Sequence, residues 1–175
     1  MKKILYITLI IISSFSFSLN AQINYLTDIE YSNIKFDGVS IMDISSSKGT
    51  ISIMQNLFNN DLTVEQGYSE AVEFWIDFST NSLSVKFYNG IQENSEITYD
   101  LASIEILNNS SKLFIKEKVI KIGDSQSMLS GLNSRIVNNQ KIFTFSANNI
   151  DEYVFIYVDI LSGKIIKIGY DGNLL

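Results

Sequence analysis

The chain has 175 residues, 13 Lys and Arg against 19 Asp and Glu, and a formal net charge of −6. That acidic balance disfavours nucleic acid and anionic lipid as partners. His, Cys and Pro are all absent, which removes the commonest general base, the soft metal ligands, the strongest nucleophile and any disulfide.

The first predicted element is a leader. Lys2 and Lys3 form a basic start, Ile4 to Ile12 a nearly unbroken apolar run, and Ser13 to Ala21 a small-residue approach to a cut. This is the three-part pattern of a secretory signal peptide over residues 1–21, with the junction at Ala21-Gln22. The apolar run is shorter than the ~20 residues a membrane span needs. No membrane span is therefore expected after cleavage, and the compartment is expected to be periplasmic or extracellular. Loss of Lys2 and Lys3 takes the charge to −8 over the remaining 154 residues.

Residues 22–32 read as an N-terminal lead-in. The chain then reads as containing itself twice. Ile34, Lys35, Val39, Ile41 and Asp43 match Ile115, Lys116, Ile120, Ile122 and Asp124 at an offset of 81. Val72, Phe74, Trp75, Ile76 and Asp77 match Val154, Ile156, Tyr157, Val158 and Asp159 at 82, and Tyr88 and Gly90 match Tyr170 and Gly172. A fixed internal period points to a duplicated architecture. Unit one is expected over residues 33–100. A linking hairpin, residues 103–115, and unit two are expected over residues 101–175.

Each unit reads in the same order. The alternating stretches "IKFDGVSIMDI" and "KLFIKEKVIKI" predict a strand each. The small polar runs "SSSKGT" and "GDSQS" supply N-cap residues. Ile51, Met54, Leu57 and Phe58, and then Met128, Leu129, Leu132 and Ile136, fall at helical spacing. Asn-rich loops follow, and a hairpin closes each unit. The expected fold is α+β: two tandem β-α-β-β(-β) repeats with helices packed on antiparallel sheet.

A turn at Thr80-Asn81 in the first closing hairpin pairs Phe78 with Leu83, Ile76 with Val85 and Phe74 with Phe87 as a core face. The other face then pairs Asp77 with Ser84, Trp75 with Lys86 and Glu73 with Tyr88, with Lys86 over the Trp75 ring. A turn at Ser162-Gly163 in the second hairpin pairs Asp159 with Ile166, Tyr157 with Ile168 and Phe155 with Tyr170 on the outer side. Glu73, Trp75, Lys86, Tyr88, Phe155, Tyr157, Ile168 and Tyr170 are the candidate binding residues, because a contiguous exposed aromatic patch marks an interaction site.

The duplicated unit resembles the tandem α/β modules of beta-lactamase-inhibitor-protein-like small envelope proteins. "YVFIYVDILSGKIIKI", residues 153–168, is similar to the terminal hairpin of PepSY modules. The resemblance implies a sheet with an aromatic face that binds a protein. Unit one departs from it, with Asn81 where Gly163 stands, and the disulfides typical of the inhibitor family are missing.

No catalytic set is expected. Ser45-x-x-Lys48 lacks the S-D-N and K-T-G partners of penicillin-binding enzymes and reads as helix-cap material. Asp77 and Asp159 form a carboxylate pair only if they face one cleft. No metal site and no cofactor is expected. The expected function is a non-enzymatic protein-binding module that meets another envelope or secreted protein through an open aromatic sheet face. The alternative is a small-ligand or glycan binder using the same rings.

Overall fold

The computed structural model describes residues 23–69, 73–89, 99–147 and 151–172. The leader and its junction lie outside the described residues. In chain order the elements are β1 (Ile23–Leu26), α1 (Asp28–Ser32), β2 (Lys35–Phe36), β3 (Val39–Ser40), α2 (Ile41–Ser46), α3 (Ile51–Leu57), β4 (Thr63–Ser69), β5 (Glu73–Ser79) and β6 (Leu83–Asn89). There follow β7 (Tyr99–Ile106), β8 (Leu113–Ile115), β9 (Lys118–Ile120), a 3₁₀ turn (Gln126–Leu129), β10 (Arg135–Val137), β11 (Gln140–Ala147), β12 (Tyr153–Asp159) and β13 (Lys164–Asp171).

The expected α+β fold is wrong: the protein is mostly β, with three short helices. Nine strands form one mixed sheet in the order β1-β11-β12-β13-β7-β6-β5-β4, with β10 also on β11. Four short strands form a second sheet, β3-β2-β8-β9. The lead-in is part of the large sheet, because β1 runs parallel to β11 with Ile23 opposite Thr144.

Three local features account for the difference. The two stretches expected as single strands are each folded back by a turn of two left-handed residues. These are Asp37-Gly38 (φ 51° and 91°) and Lys116-Glu117 (φ 47° and 62°), the backbone signs of a type I′ hairpin. Ser40 then caps α2, its Oγ accepting from Asp43 N at 3.0 Å. The second expected helix does not form. Met128 and Leu129 end a 3₁₀ turn, and Ile136 lies in β10, which turns through Asn138-Asn139 (φ 50° and 61°) into β11. Residues 103–115 are not a hairpin either: β7 belongs to the large sheet and β8 to the small one.

The core lies between the sheets. Ile76, Phe78, Val85, Phe87, Ile104, Val154, Ile156, Val158 and Ile165 line the inner face of the large sheet, and all are buried. Phe36, Leu113 and Ile120 from the small sheet and Ile41, Ile44 and Met54 from the helices close over them in one cluster. Phe74, expected in this core, is 40% exposed beyond its edge, packed edge-on against Tyr68 with ring centroids 5.5 Å apart.

Both closing hairpins form, in different registers from those expected. In the first, Thr80 N donates to Leu83 O at 2.8 Å, so the turn is Asn81-Ser82. Every pair moves by two residues, which keeps each side chain on its expected face. In the second, Val158 pairs with Ile165 but Tyr157 pairs with Lys167. Ile166 is an extra residue, a β-bulge, and it reverses the faces of everything after it on β13. Asp77 and Asp159 consequently hold different positions. Asp77 lies opposite Lys86 within its strand, while Asp159 closes its turn opposite Lys164.

Candidate binding face

The outer face of the large sheet starts from strand alternation. Residues between the buried positions must point away from the core. On β5 and β6 they are Trp75, Asp77, Lys86 and Tyr88. On β7 and β13 they are Ser103, Glu105, Lys167 and Asp171, and on β12 Tyr153, Phe155 and Tyr157. Trp75, Tyr88, Tyr153, Phe155 and Tyr157 are all half-buried.

Two glycines let aromatic rings lie flat on the sheet. Gly67 is opposite Trp75, and a Cβ there would stand 2.7 Å from Trp75 Cζ2. Gly169 is opposite Phe155, and a Cβ there would stand 2.5 Å from Phe155 Cζ. Along β12, Tyr153, Phe155 and Tyr157 form a ladder with ring centroids 6.5 and 5.2 Å apart. Lys167 Nζ lies 5.6 Å from the Phe155 centroid and 3.1 Å from Glu105 Oε1. Tyr153 Oη donates to Asp171 at 3.1 Å. Burial, reinforced by the Asp171 carboxylate, raises the Tyr153 phenol above its ordinary range.

Of the eight expected binding residues, Trp75, Lys86, Tyr88, Phe155 and Tyr157 share this face. Glu73 is in β5, paired through its backbone with Ser69. Ile168 and Tyr170 are corrections: the bulge turns both inward, and they are 0% and 1% exposed. Lys86 does not cover Trp75. Its Nζ is 3.3 Å from Asp77 Oδ2, and Trp75 covers Gly67 instead. The cation–π contact expected there occurs on the other hairpin, between Lys167 and Phe155. Tyr153 and the two glycines were missed. The signal for Gly67 and Gly169 is a glycine inside a strand, which often marks close approach by another group.

The carboxylates do not form a catalytic pair. Asp77 accepts from Ser84 Oγ at 3.0 Å. Asp159 accepts from Ser162 N at 2.8 Å, and hydrogen bonds from the Ser162 side chain and backbone hold its carboxyl below the usual range. β6, β7 and β13 lie between their strands. Four strand spacings are roughly 19 Å, too far to act on one glycosidic bond. Lys48, the second half of the S-x-x-K motif, is held 2.7 Å from Asp100.

The clefts lie elsewhere. One of about 480 Å³ is lined by Asp37, Phe58, Asp61 and the β5–β6 turn. Another of about 720 Å³ lies between α1 and the β8–β9 hairpin. Among the described residues no group of three or more acidic side chains is placed to hold a metal ion, and no helix is long and apolar enough to cross a membrane. No family model matches the chain, and neither does any curated protein or solved structure.

Proposed function

We propose that the protein is a non-enzymatic binding module of the cell envelope or the secreted space, and that it holds another protein on the outer face of the large sheet. The observation that carries this reading is the set of half-buried rings on this face, Trp75, Tyr88, Tyr153, Phe155 and Tyr157, with Trp75 and Phe155 seated on Gly67 and Gly169. Rings already immobilised lose little freedom on binding, and aromatic anchors dominate interface energies. Trp75 and Phe155 sit on strands roughly 19 Å apart, which suits a broad partner surface more than a single sugar.

The test is capture from envelope extract by the exported chain. Trp75→Ala and Phe155→Ala should each weaken capture of the same partner at least about tenfold, as expected for anchors worth over 1 kcal/mol. Leu161→Ala, at the exposed tip of the β12–β13 turn, should leave it unchanged. Equal capture by all three variants would remove the outer face from consideration. Binding of purified glycans that both aromatic variants abolish would favour the sugar-binding alternative.

A further inference from the structure

The edges of the sheets differ in one respect. At the far end of the large sheet β1 has four residues and β10 three, and the small sheet ends in strands of two and three residues. β4 has seven, "TVEQGYS", all paired to β5 without a register break. Among the described residues no strand pairs with its other side. A bare edge of this length presents a row of backbone donors and acceptors, and proteins usually blunt such edges with Lys, Pro, a bulge or a cover. β4 has no Lys, no Pro and no bulge, and Glu65 is its single charge.

We infer that β4 is the dimer edge of this protein and pairs antiparallel with β4 of a second copy. The strand is self-complementary about its midpoint. A two-fold axis at Gln66 engages all seven residues: Glu65 meets Gly67, Val64 meets Tyr68 and Thr63 meets Ser69 of the other copy. No like charges stand opposite, a condition cross-strand pairs require. Val64 would land beside the exposed Tyr68–Phe74 ring pair, covering the apolar surface this edge leaves open. On the outer side, Glu65 would approach the platform where Trp75 Nε1 stands 3.1 Å from a Cβ at Gly67. A closed two-fold contact of this kind is isologous and ends at two copies.

The chain from residue 22 onward, which holds every described residue, can be followed by sedimentation over a concentration series. A doubling of mass is expected, accompanied by a blue shift from Trp75, the single tryptophan of the chain. Gln66→Lys places like charges on the axis and should yield monomer with an unchanged circular dichroism spectrum. Gln66→Glu should do the same, and mixing the two variants should restore the dimer. Gln66→Cys should oxidise to a linked dimer about tenfold or more faster than Leu161→Cys, because pairing raises the local thiol concentration. A monomeric mass throughout with no such preference, or a dimer that Gln66→Lys leaves intact, would overturn the inference. So would a β4 edge taken up by a strand of an unrelated protein while the chain alone stays monomeric.

Discussion

The indole of Trp75 rests on Gly67, so closely that a side-chain carbon at position 67 would stand 2.7 Å from Cζ2. Gly169 supports Phe155 in the same way, but there a Cβ would also stand 2.7 Å from the backbone oxygen of Ile104. The two platforms thus differ in what can yield. At Gly67 only a half-buried side chain has to move. At Gly169 a strand has to move. Gly67→Ala is expected to cost about 1 kcal/mol and to red-shift tryptophan emission as the ring swings into water. Gly169→Ala is expected to cost more, about 2–3 kcal/mol, within the range for overpacking. Urea unfolding of both variants, with emission spectra, decides the order. Equal costs would mean the strand adjusts as easily as the ring.

Burial separates core from face along single strands. Phe87 and Ile156 are fully buried, and truncating either to Ala should cost about 3–5 or 2–5 kcal/mol respectively. Phe74 extends past the core, so Phe74→Ala should cost about 1 kcal/mol or less. Trp75→Ala loses only its contact with Gly67 and its neighbours and should also fall well below the core values. Denaturant midpoints on the four variants check this. A Trp75→Ala chain as unstable as Phe87→Ala would show the outer face to be a second core.

Strand alternation made much of the face legible. Ile76, Phe78, Val85 and Phe87 follow a strict period of two, so their burial survives the two-residue error in hairpin register. On β13 the buried set is Ile165, Ile168 and Tyr170, a step of three and then two. A strict alternation onward from the Val158–Ile165 pair would bury Lys167 opposite Ile156, and the bulge at Ile166 is how the chain avoids that. The Asp37-Gly38 pair is a strong hairpin signal inside a stretch whose alternation fits a single strand. Lys116-Glu117 gave no such signal, because neither residue favours a left-handed backbone. The Met128-to-Ile136 spacing fits a helix as well as it fits a turn and a strand. Gly131, with φ 79°, lies within that interval and argues against a continuous helix.

Two buried phenols link stability to alkaline pH. Tyr31 Oη donates to Glu152 Oε2 at 3.1 Å. Tyr170 Oη also faces Glu152 but lacks the geometry of a hydrogen bond. Burial first and the Glu152 carboxylate second raise both phenols well above the ordinary 10.0. The folded state therefore holds these protons where the unfolded chain releases them. Their contribution is fully present below about pH 10 and is lost as pH rises beyond it. The transition should move to higher pH in Tyr170→Phe. That variant should also be about 1 kcal/mol more stable at neutral pH, because it removes a buried hydroxyl that has no hydrogen-bond partner among the described residues. Tyr31→Phe should lose about 1 kcal/mol at neutral pH with its hydrogen bond. Circular dichroism against pH measures both effects.

The last expectation concerns the β8–β9 turn. Lys116 and Glu117 are both left-handed, at φ 47° and 62°, a backbone that costs an ordinary side chain roughly 1–2 kcal/mol per residue. The matching turn of the small sheet has Asp37-Gly38, which fits this geometry. Among the described residues Glu117 makes no ion pair within 4 Å, whereas Lys116 Nζ lies 3.6 Å from Glu30 Oε1. Glu117→Gly should therefore relieve strain without removing a contact and raise stability by about 1 kcal/mol. Lys116→Asn should gain less, because it gives up the Glu30 pair, although a pair at so exposed a site contributes little. Glu117→Ala keeps the left-handed strain and should bring no gain. Thermal unfolding of the three variants ranks them. If Glu117→Ala stabilises as much as Glu117→Gly, the benefit comes from losing the charge, and the strain argument at this turn is wrong.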